Sequence, residues 1–220
     1  MIVLTRTFFL KHSMTTNKTD LGISLTCFKR ADYLKQVLDS LREALLYVGS
    51  NDFILYPHID YNNDNVVKLI DSIDWIETHK ICNKPPVGCN KNTLEAISRC
   101  AQNHKFILHL EDDTVLSKDA LGFYLYVLEK YQDNPKVLSV SGYNKTESLN
   151  EEEFYQHFTE QFFCCWGCAF WQSKIDTVLQ NWTPQLNFMN PQSWDSYLQE
   201  KLFANRYYQA RPIVSRVQNI

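Results

Sequence analysis

Lys105-Phe106-Ile107-Leu108-His109-Leu110-Glu111-Asp112-Asp113-Thr114 is an apolar run that breaks off into three carboxylates. Lys105–Leu110 has the length and near-continuous apolarity of a strand buried on both faces. Adjacent carboxylates repel one another, so the triplet needs water or a cation to offset it. At the carboxyl end of a buried strand it stands where open α/β sheets collect their ligands. Hard oxygen donors there suit Mg²⁺ or Mn²⁺, which take one or two carboxylates plus substrate phosphates. The plainer alternative is a solvated acidic turn that caps the next helix.

The flanking sequence supplies the rest of the sheet. Leu21–Cys27 reads as a first strand and Asp52–Ile59 as a second, with Trp75–Cys82 a third and Lys105–Leu110 a fourth. Between them lie helical patterns at Ala31–Leu46, Asn63–Ile73 and Asn90–Gln102. In the first, Leu34, Val37, Leu38, Leu41 and Leu45 recur on one helical face. Ser117–Tyr131 reads as a further helix with Ser117 as N-cap. This alternation makes βαβ units, so the expected fold is α/β, a Rossmann-like three-layer sandwich with a mostly parallel central sheet. Lys29 and Arg30 follow strand one, Asp60 follows strand two, and the acidic triplet follows strand four.

After residue 136 the pattern changes. Val137–Ser141 reads as a strand, Asn144–Glu153 as a polar loop, and Phe162–Trp171 is dense in aromatics. Lys174–Asn181 and Ser193–Leu202 read as helices and Tyr207–Ile220 as extended chain. The 220 residues fit one domain, with residues 1–20 a poorly ordered lead-in and 21–220 the folded unit. Within it, 21–115 form a nucleotide-binding half and 116–220 an acceptor-facing half.

Composition narrows the function. Twenty-two basic against twenty-five acidic residues leave a net charge of −3, which argues against a nucleic-acid partner. No apolar run reaches the length of a membrane span, and Met1–Leu10, interrupted by Arg6, makes a poor secretory signal. The expected location is cytoplasmic, with peripheral membrane attachment a variant, and the Golgi lumen applies only to a fragment that has lost its anchor. Seven cysteines cannot make a complete internal disulfide framework, and their usage fits a reducing compartment. Cys165-Trp-Gly-Cys168 has metal or redox spacing, but no second pair accompanies it, so it reads as buried chain. Asn17, Asn144 and Asn181 head N-x-T sequons, which matter only in a secreted protein. Neither G-x-G-x-x-G nor G-x-x-x-x-G-K-[ST] occurs, so a metal-bridged diphosphate replaces the usual backbone cradle. That favours a nucleotide-sugar over a nicotinamide cofactor.

The strand Ile23–Cys27, Lys29-Arg30, Asp60 and Leu110-Glu111-Asp112-Asp113 together resemble a GT-A glycosyltransferase. The Glu-Asp-Asp resembles the D-x-D variant of the inverting N-acetylglucosaminyltransferases that act on mannose, the N-acetylglucosaminyltransferase I family. Trp166-Gly167-Cys168-Ala169-Phe170-Trp171, then Trp194-Asp195, then Arg211-Pro212-Ile213-Val214-Ser215-Arg216 follow in that family's order, so the resemblance covers roughly 21–220. Two departures stand out. Thr26–Arg30 is one residue longer than the family's C-x-R, and the family continues past the position of Ile220 into a glycine turn and a histidine-bearing loop. The latter leads to the expectation of a chain truncated at its C-terminus.

The resemblance implies a role for each matching residue. Asp113 would bind Mn²⁺ or Mg²⁺, while Glu111 and Asp112 would contact ribose and donor-sugar hydroxyls. Asp60 would accept from the base, Arg30 would lie near the phosphates, and Asn92 would line the nucleotide pocket. Asp195 would be the catalytic base, with Trp194 beside the donor sugar or the acceptor. The implied activity is metal-dependent, inverting transfer from a UDP-linked or related donor to a glycan, glycolipid or glycoprotein hydroxyl. On the residues alone, Asp195 could equally be an acid at a helix N-terminus, and Phe162, Phe163, Phe170 and Trp171 core packing. Trp166 is the best candidate for an exposed contact, and Arg216 either offsets phosphate charge or lies on the surface. Two other functions share these features: a sugar nucleotidyltransferase, which would need a glycine-rich loop that Thr26–Ala31 lacks, and an inactive carbohydrate-binding protein of the same fold.

Overall fold

The computed structural model describes residues 20–50, 52–61, 63–145, 156–180, 182 and 193–220. The expected lead-in, apart from Asp20, lies outside the described residues. So do most of the loop at 144–153 and the asparagines of two of the three sequons.

Among the described residues the strands are β1 (Leu21–Cys27), β2 (Ile54–Ile59), β3 (Glu77–Thr78), β4 (Ile81–Cys82), β5 (Phe106–Glu111), β6 (Thr114–Leu116), β7 (Val137–Ser141), β8 (His157–Glu160), β9 (Cys168–Trp171), β10 (Tyr208–Pro212) and β11 (Val217–Asn219). The helices are α1 (Ala31–Val48), α2 (Asp64–Asp71), α3 (Cys89–Ala101), α4 (Ala120–Tyr131), α5 (Ile175–Leu179) and α6 (Trp194–Asn205). The main sheet runs β3-β2-β1-β5-β9-β7-β10-β8, with β4 also on β2, and β6 pairs with β11 in a small ribbon. β1 is parallel to both β2 and β5, and β7 is parallel to β10. β9 joins the two parts of the sheet, running antiparallel to β5 and to β7.

Alternation along the strands divides the core. Leu21, Ile23 and Leu25 of β1 and Phe106, Leu108 and Leu110 of β5 pack with α1, α2 and α4 on one face. Ile107 of β5 packs with Ile97 and Cys100 of α3 and with Leu198 and Leu202 of α6 on the other. The apolar run at 105–110 is therefore two half-cores read as one, which is why it lacks visible alternation. α1 carries the expected stripe and ends on Gly49 in the left-handed region (φ 70°), which satisfies a terminal carbonyl through its N–H. α2 starts at Asn63, whose side chain accepts from the N–H groups of Asn65 and Val66.

Two elements correct the sequence reading. The third strand is split into β3 and β4, both pairing with β2. The helix expected from Ser117 starts at Ala120, because Thr114–Leu116 is drawn into the ribbon with β11 and the Ser117 N–H is taken by the Arg216 carbonyl. β6, β8, β9 and β11 are short, and their partners lie far away in sequence, so local pattern does not reveal them.

Gly167 enters β9 with φ 54°, and a Cβ there would meet the Tyr124 hydroxyl at 2.5 Å and Val217 at 2.7 Å. The Tyr124 O–H donates to the Gly167 carbonyl from the buried face of α4. Gly167→Ala is expected to destabilise the chain by about 1–3 kcal/mol, from overpacking with the positive φ in addition. A urea midpoint equal to that of the parent chain would refute this.

Candidate active site

β2 and β5 lie on opposite sides of β1, so the chain leaves β1 toward β2 on one side and leaves β5 toward β7 on the other. The carboxyl ends of β1 and β5 are then the switch point at which α/β sheets open a crevice. A cavity of about 450 Å³ lies here, and Arg30, Asp60, Asn92, Glu111 and Asp112 all line it. Five residues chosen from the sequence thus meet in one place.

The turn after β5 is held from below. Asp112 is buried, and its carboxylate accepts from the Phe28 N–H at 3.1 Å and from Arg30 Nε at 3.1 Å. Arg30 Nη2 also binds Asp112, while Nη1 pairs with Asp113 Oδ2 at 2.8 Å. The longer Thr26–Arg30 segment places Arg30 just before α1, and from there it bridges both aspartates. The other Asp113 oxygen, Oδ1, is buried and has no hydrogen-bond partner among the described residues. Its backbone carbonyl accepts from the Ile220 N–H at 3.0 Å, which ties β11 to the turn.

No group of three or more His, Cys, Asp or Glu side chains preformed for a metal occurs among the described residues. The donor set nevertheless fits a hard divalent cation that draws its remaining ligands from phosphates, because Asp113 keeps one buried carboxylate oxygen unused. Glu111 tells the same story through charge. Burial first, then Asp113, Asp112 and Asp195, push its carboxyl up to about 7. Between the unfolded value near 4.5 and about 7 the native state holds the extra proton, so this group favours folding at low pH and opposes it above about pH 7. Glu111→Gln is therefore expected to stabilise the metal-free chain by about 1–3 kcal/mol at pH 8 relative to the parent, and not at pH 4. Urea titrations in EDTA at both pH values test this; a difference independent of pH would refute it.

Asp60 and Asn92 form the far wall. Asp60 accepts from the N–H groups of Val87 (2.7 Å) and Gly88 (2.8 Å) and from Asn83 Nδ2 (3.2 Å). Asn92 donates to the His58 carbonyl at 3.1 Å and accepts from Asn83 at 3.0 Å. Both side chains thereby fasten the segment that starts α3 to the end of β2. Much of their bonding capacity goes to shaping the cavity, which the sequence reading did not foresee.

Trp194 is the residue the structure treats differently. Its indole is only 3% exposed, stacked on Trp182 at 5.8 Å and set edge-on to His109 at 5.5 Å. It offers no face to a sugar here. Instead the Trp194 backbone N–H donates to Asn90 Oδ1 at 2.8 Å, which moors the start of α6 to the start of α3. That mooring carries Asp195, half-buried, close enough to raise Glu111 and Cys89. Arg216 is neither a phosphate contact nor a surface residue, since it is 1% exposed and pairs with Asp119 at 2.9 Å. Trp166 is half-buried edge-on to Tyr143, and Phe162 is the more exposed ring. Phe163, Phe170 and Trp171 are core, as the plainer reading held.

Sequence reasoning missed Phe28, Pro86, Gly88, Cys89 and Thr93, all of which line the cavity. Gly88 was the available signal: it directly precedes α3 with φ 90° and offers its N–H to Asp60. His58 and His109 lie buried on the strands behind, pushed down to about 4 and about 3 chiefly by burial.

No family model matches the chain, and no curated protein matches its sequence. Solved structures do match its fold. S. aureus TarS 1–349 aligns at 11% identity with a TM-score of 0.63, over 90% of this chain and 59% of that one. The same protein in complex with UDP-GlcNAc aligns at 10% identity and a TM-score of 0.62, over 90% and 57%. The mannosyltransferase PcManGT from Pyrobaculum calidifontis, in complex with GDP-Man and Mn²⁺, aligns at 11% identity and 0.59, over 92% and 60%. The chain spans less than two thirds of each neighbour's length. Its fold is that of the GT-A-like glycosyltransferases: mixed α/β, with a mostly parallel sheet flanked by helices. No helix among the described residues is long and apolar enough to cross a membrane.

Proposed function

We propose that the chain is a metal-dependent, inverting glycosyltransferase that moves a sugar from a nucleoside-diphospho-sugar, UDP-linked in the first instance, to an acceptor hydroxyl. The observation that carries this is the unused, buried Asp113 Oδ1 beside the Arg30 bridge; Asp113 does not itself line the cavity, but its bridge partner Arg30 and its chain neighbours Glu111 and Asp112 do, together with Asp60 and Asn92. The neighbours' complexes with UDP, UDP-GlcNAc and GDP-Man support a nucleotide-sugar donor, and the Mn²⁺ of one supports a divalent cation.

Asp113 holds the cation, and a bound Mn²⁺ or Mg²⁺ supplies Lewis-acid stabilisation of the departing diphosphate. Arg30 offsets phosphate charge from the same side. Glu111 receives ribose or donor-sugar hydroxyls, while Asp112 anchors Arg30 and the Phe28 N–H beneath them. Asp60 and Asn92 shape the nucleoside end. The acceptor oxygen attacks the anomeric carbon as the bond to the diphosphate oxygen breaks, and its proton passes to the Asp195 carboxylate. The sugar moved is a hexosyl or N-acetylhexosaminyl group, and a glycan, glycolipid or glycoprotein supplies the acceptor. Residues 21–115 then serve the nucleotide and 116–220 the acceptor side of one domain, working in the cytoplasm or at a membrane surface.

A thermal-shift screen of UDP-, GDP- and dTDP-sugars with and without Mn²⁺ tests the donor. At 100 times the dissociation constant a bound donor adds about 2.7 kcal/mol of apparent stability. The expected result is a shift with UDP-sugars that needs Mn²⁺, accompanied by slow donor hydrolysis. Absence of any nucleotide-dependent shift would overturn the proposal.

A further inference from the structure

We propose that the Arg30 guanidinium is a built-in counter-ion for Asp113 that works against an arriving divalent cation, so that the chain takes up metal and nucleoside diphosphate together and holds metal alone poorly. This deepens the function proposed above and rests on it.

Arg30 is bound twice over. Nε and Nη2 sit on Asp112 Oδ1, and Nη1 reaches across to Asp113 Oδ2 at 2.8 Å. The two contacts differ in their surroundings. Asp112 is almost inaccessible and has a second partner in the Phe28 N–H, so its hold on Arg30 is structural. Asp113 is more open, its side chain 15% exposed, and Arg30 is its one side-chain partner among the described residues, with Oδ1 unused. Arg30 itself is 45% exposed, so its planar guanidinium has room to turn as a unit about its contact with Asp112 Oδ1, which carries Nη1 off Asp113.

A dication on Asp113 meets the guanidinium as a like charge beside the same carboxylate. Without an added anion, a cation on Oδ1 therefore weakens the Nη1–Oδ2 pair across the same carboxylate and stands beside a positive guanidinium. A diphosphate removes both penalties, because its oxygens complete the cation's shell and accept from the freed Nη1. Occupancy by metal and by nucleotide is then positively coupled through one side chain, and reciprocally so.

The experiment is Mn²⁺ binding to the whole chain, read by electron paramagnetic resonance of free Mn²⁺ with and without UDP. Arg30→Ala should bind Mn²⁺ alone about 5–150-fold more tightly than the parent, the range usual for site–site coupling, and UDP should no longer raise that affinity much. Arg30→Gln, which keeps the bulk and removes the charge, should do the same. Arg30→Lys, which keeps the charge on a single nitrogen but loses the planar fork, should fall between. Unchanged or weaker Mn²⁺ binding by both neutral variants would overturn the inference. Failure of the underlying function has a different signature: Mn²⁺ affinity that ignores Asp113→Asn in every background, or a parent chain that binds no Mn²⁺ even with UDP.

Discussion

Asp113→Ala should lose Mn²⁺-dependent UDP binding by at least about 100-fold, measured by calorimetry with and without the metal. Loss of a residue that merely supports a metal ligand costs 10–100-fold in affinity, and Asp113 is proposed as the ligand itself. It is the member of the acidic triplet with a buried oxygen to spare, whereas both Asp112 oxygens are committed to Arg30 and Phe28. Truncating Asp112 should therefore act through the fold of the turn and lower thermal stability, while Asp113→Ala should leave stability in EDTA nearly unchanged or higher. The rise would come from Glu111, which is lifted partly by the Asp113 charge. Undiminished UDP affinity of Asp113→Ala in Mn²⁺ would remove the ligand assignment.

Asp195→Asn should lower turnover by about 10²–10⁴-fold with donor affinity intact, the usual contribution of a positioned base. The substitution keeps the shape of the side chain and leaves in place the Trp194–Asn90 bond that moors the helix. A fall in kcat without a rise in donor KM separates a base from a binding residue. Turnover within threefold of the parent would exclude Asp195 as base and leave it as an acid at the start of α6.

The strongest readings from sequence were those in which one local property decided the outcome. The strand at Leu21–Cys27 has the expected ends, because a short apolar run closed by polar residues allows little else. The stripe of α1 and the strand at Val137–Ser141 were equally plain. What sequence could not show were partnerships. Trp194 next to Asp195 looked like a contact for sugar; whether the indole points outward depends on Trp182, His109 and Phe163, which come from three other segments. Arg216 looked like a cation for solvent or phosphate, yet its charge is matched by Asp119 in the interior. Asp60 kept its place, but its carboxylate turned out to serve the chain's own loop.

By itself the sequence determined the alternation of strand and helix, the termination of β1, β2 and β5 in charged residues, and hence a sheet with its chemistry along one edge. These follow from periodicity and from the cost of burying charge, both properties of short segments. Tertiary structure alone decided which of those charges neutralise one another. Arg30 and Asp113 lie far apart along the chain and come together only because β1 and β5 are parallel neighbours in register, Thr26 opposite Glu111. Pairing energy depends on separations of a few ångströms in a partly desolvated crevice, and no linear pattern encodes such a distance.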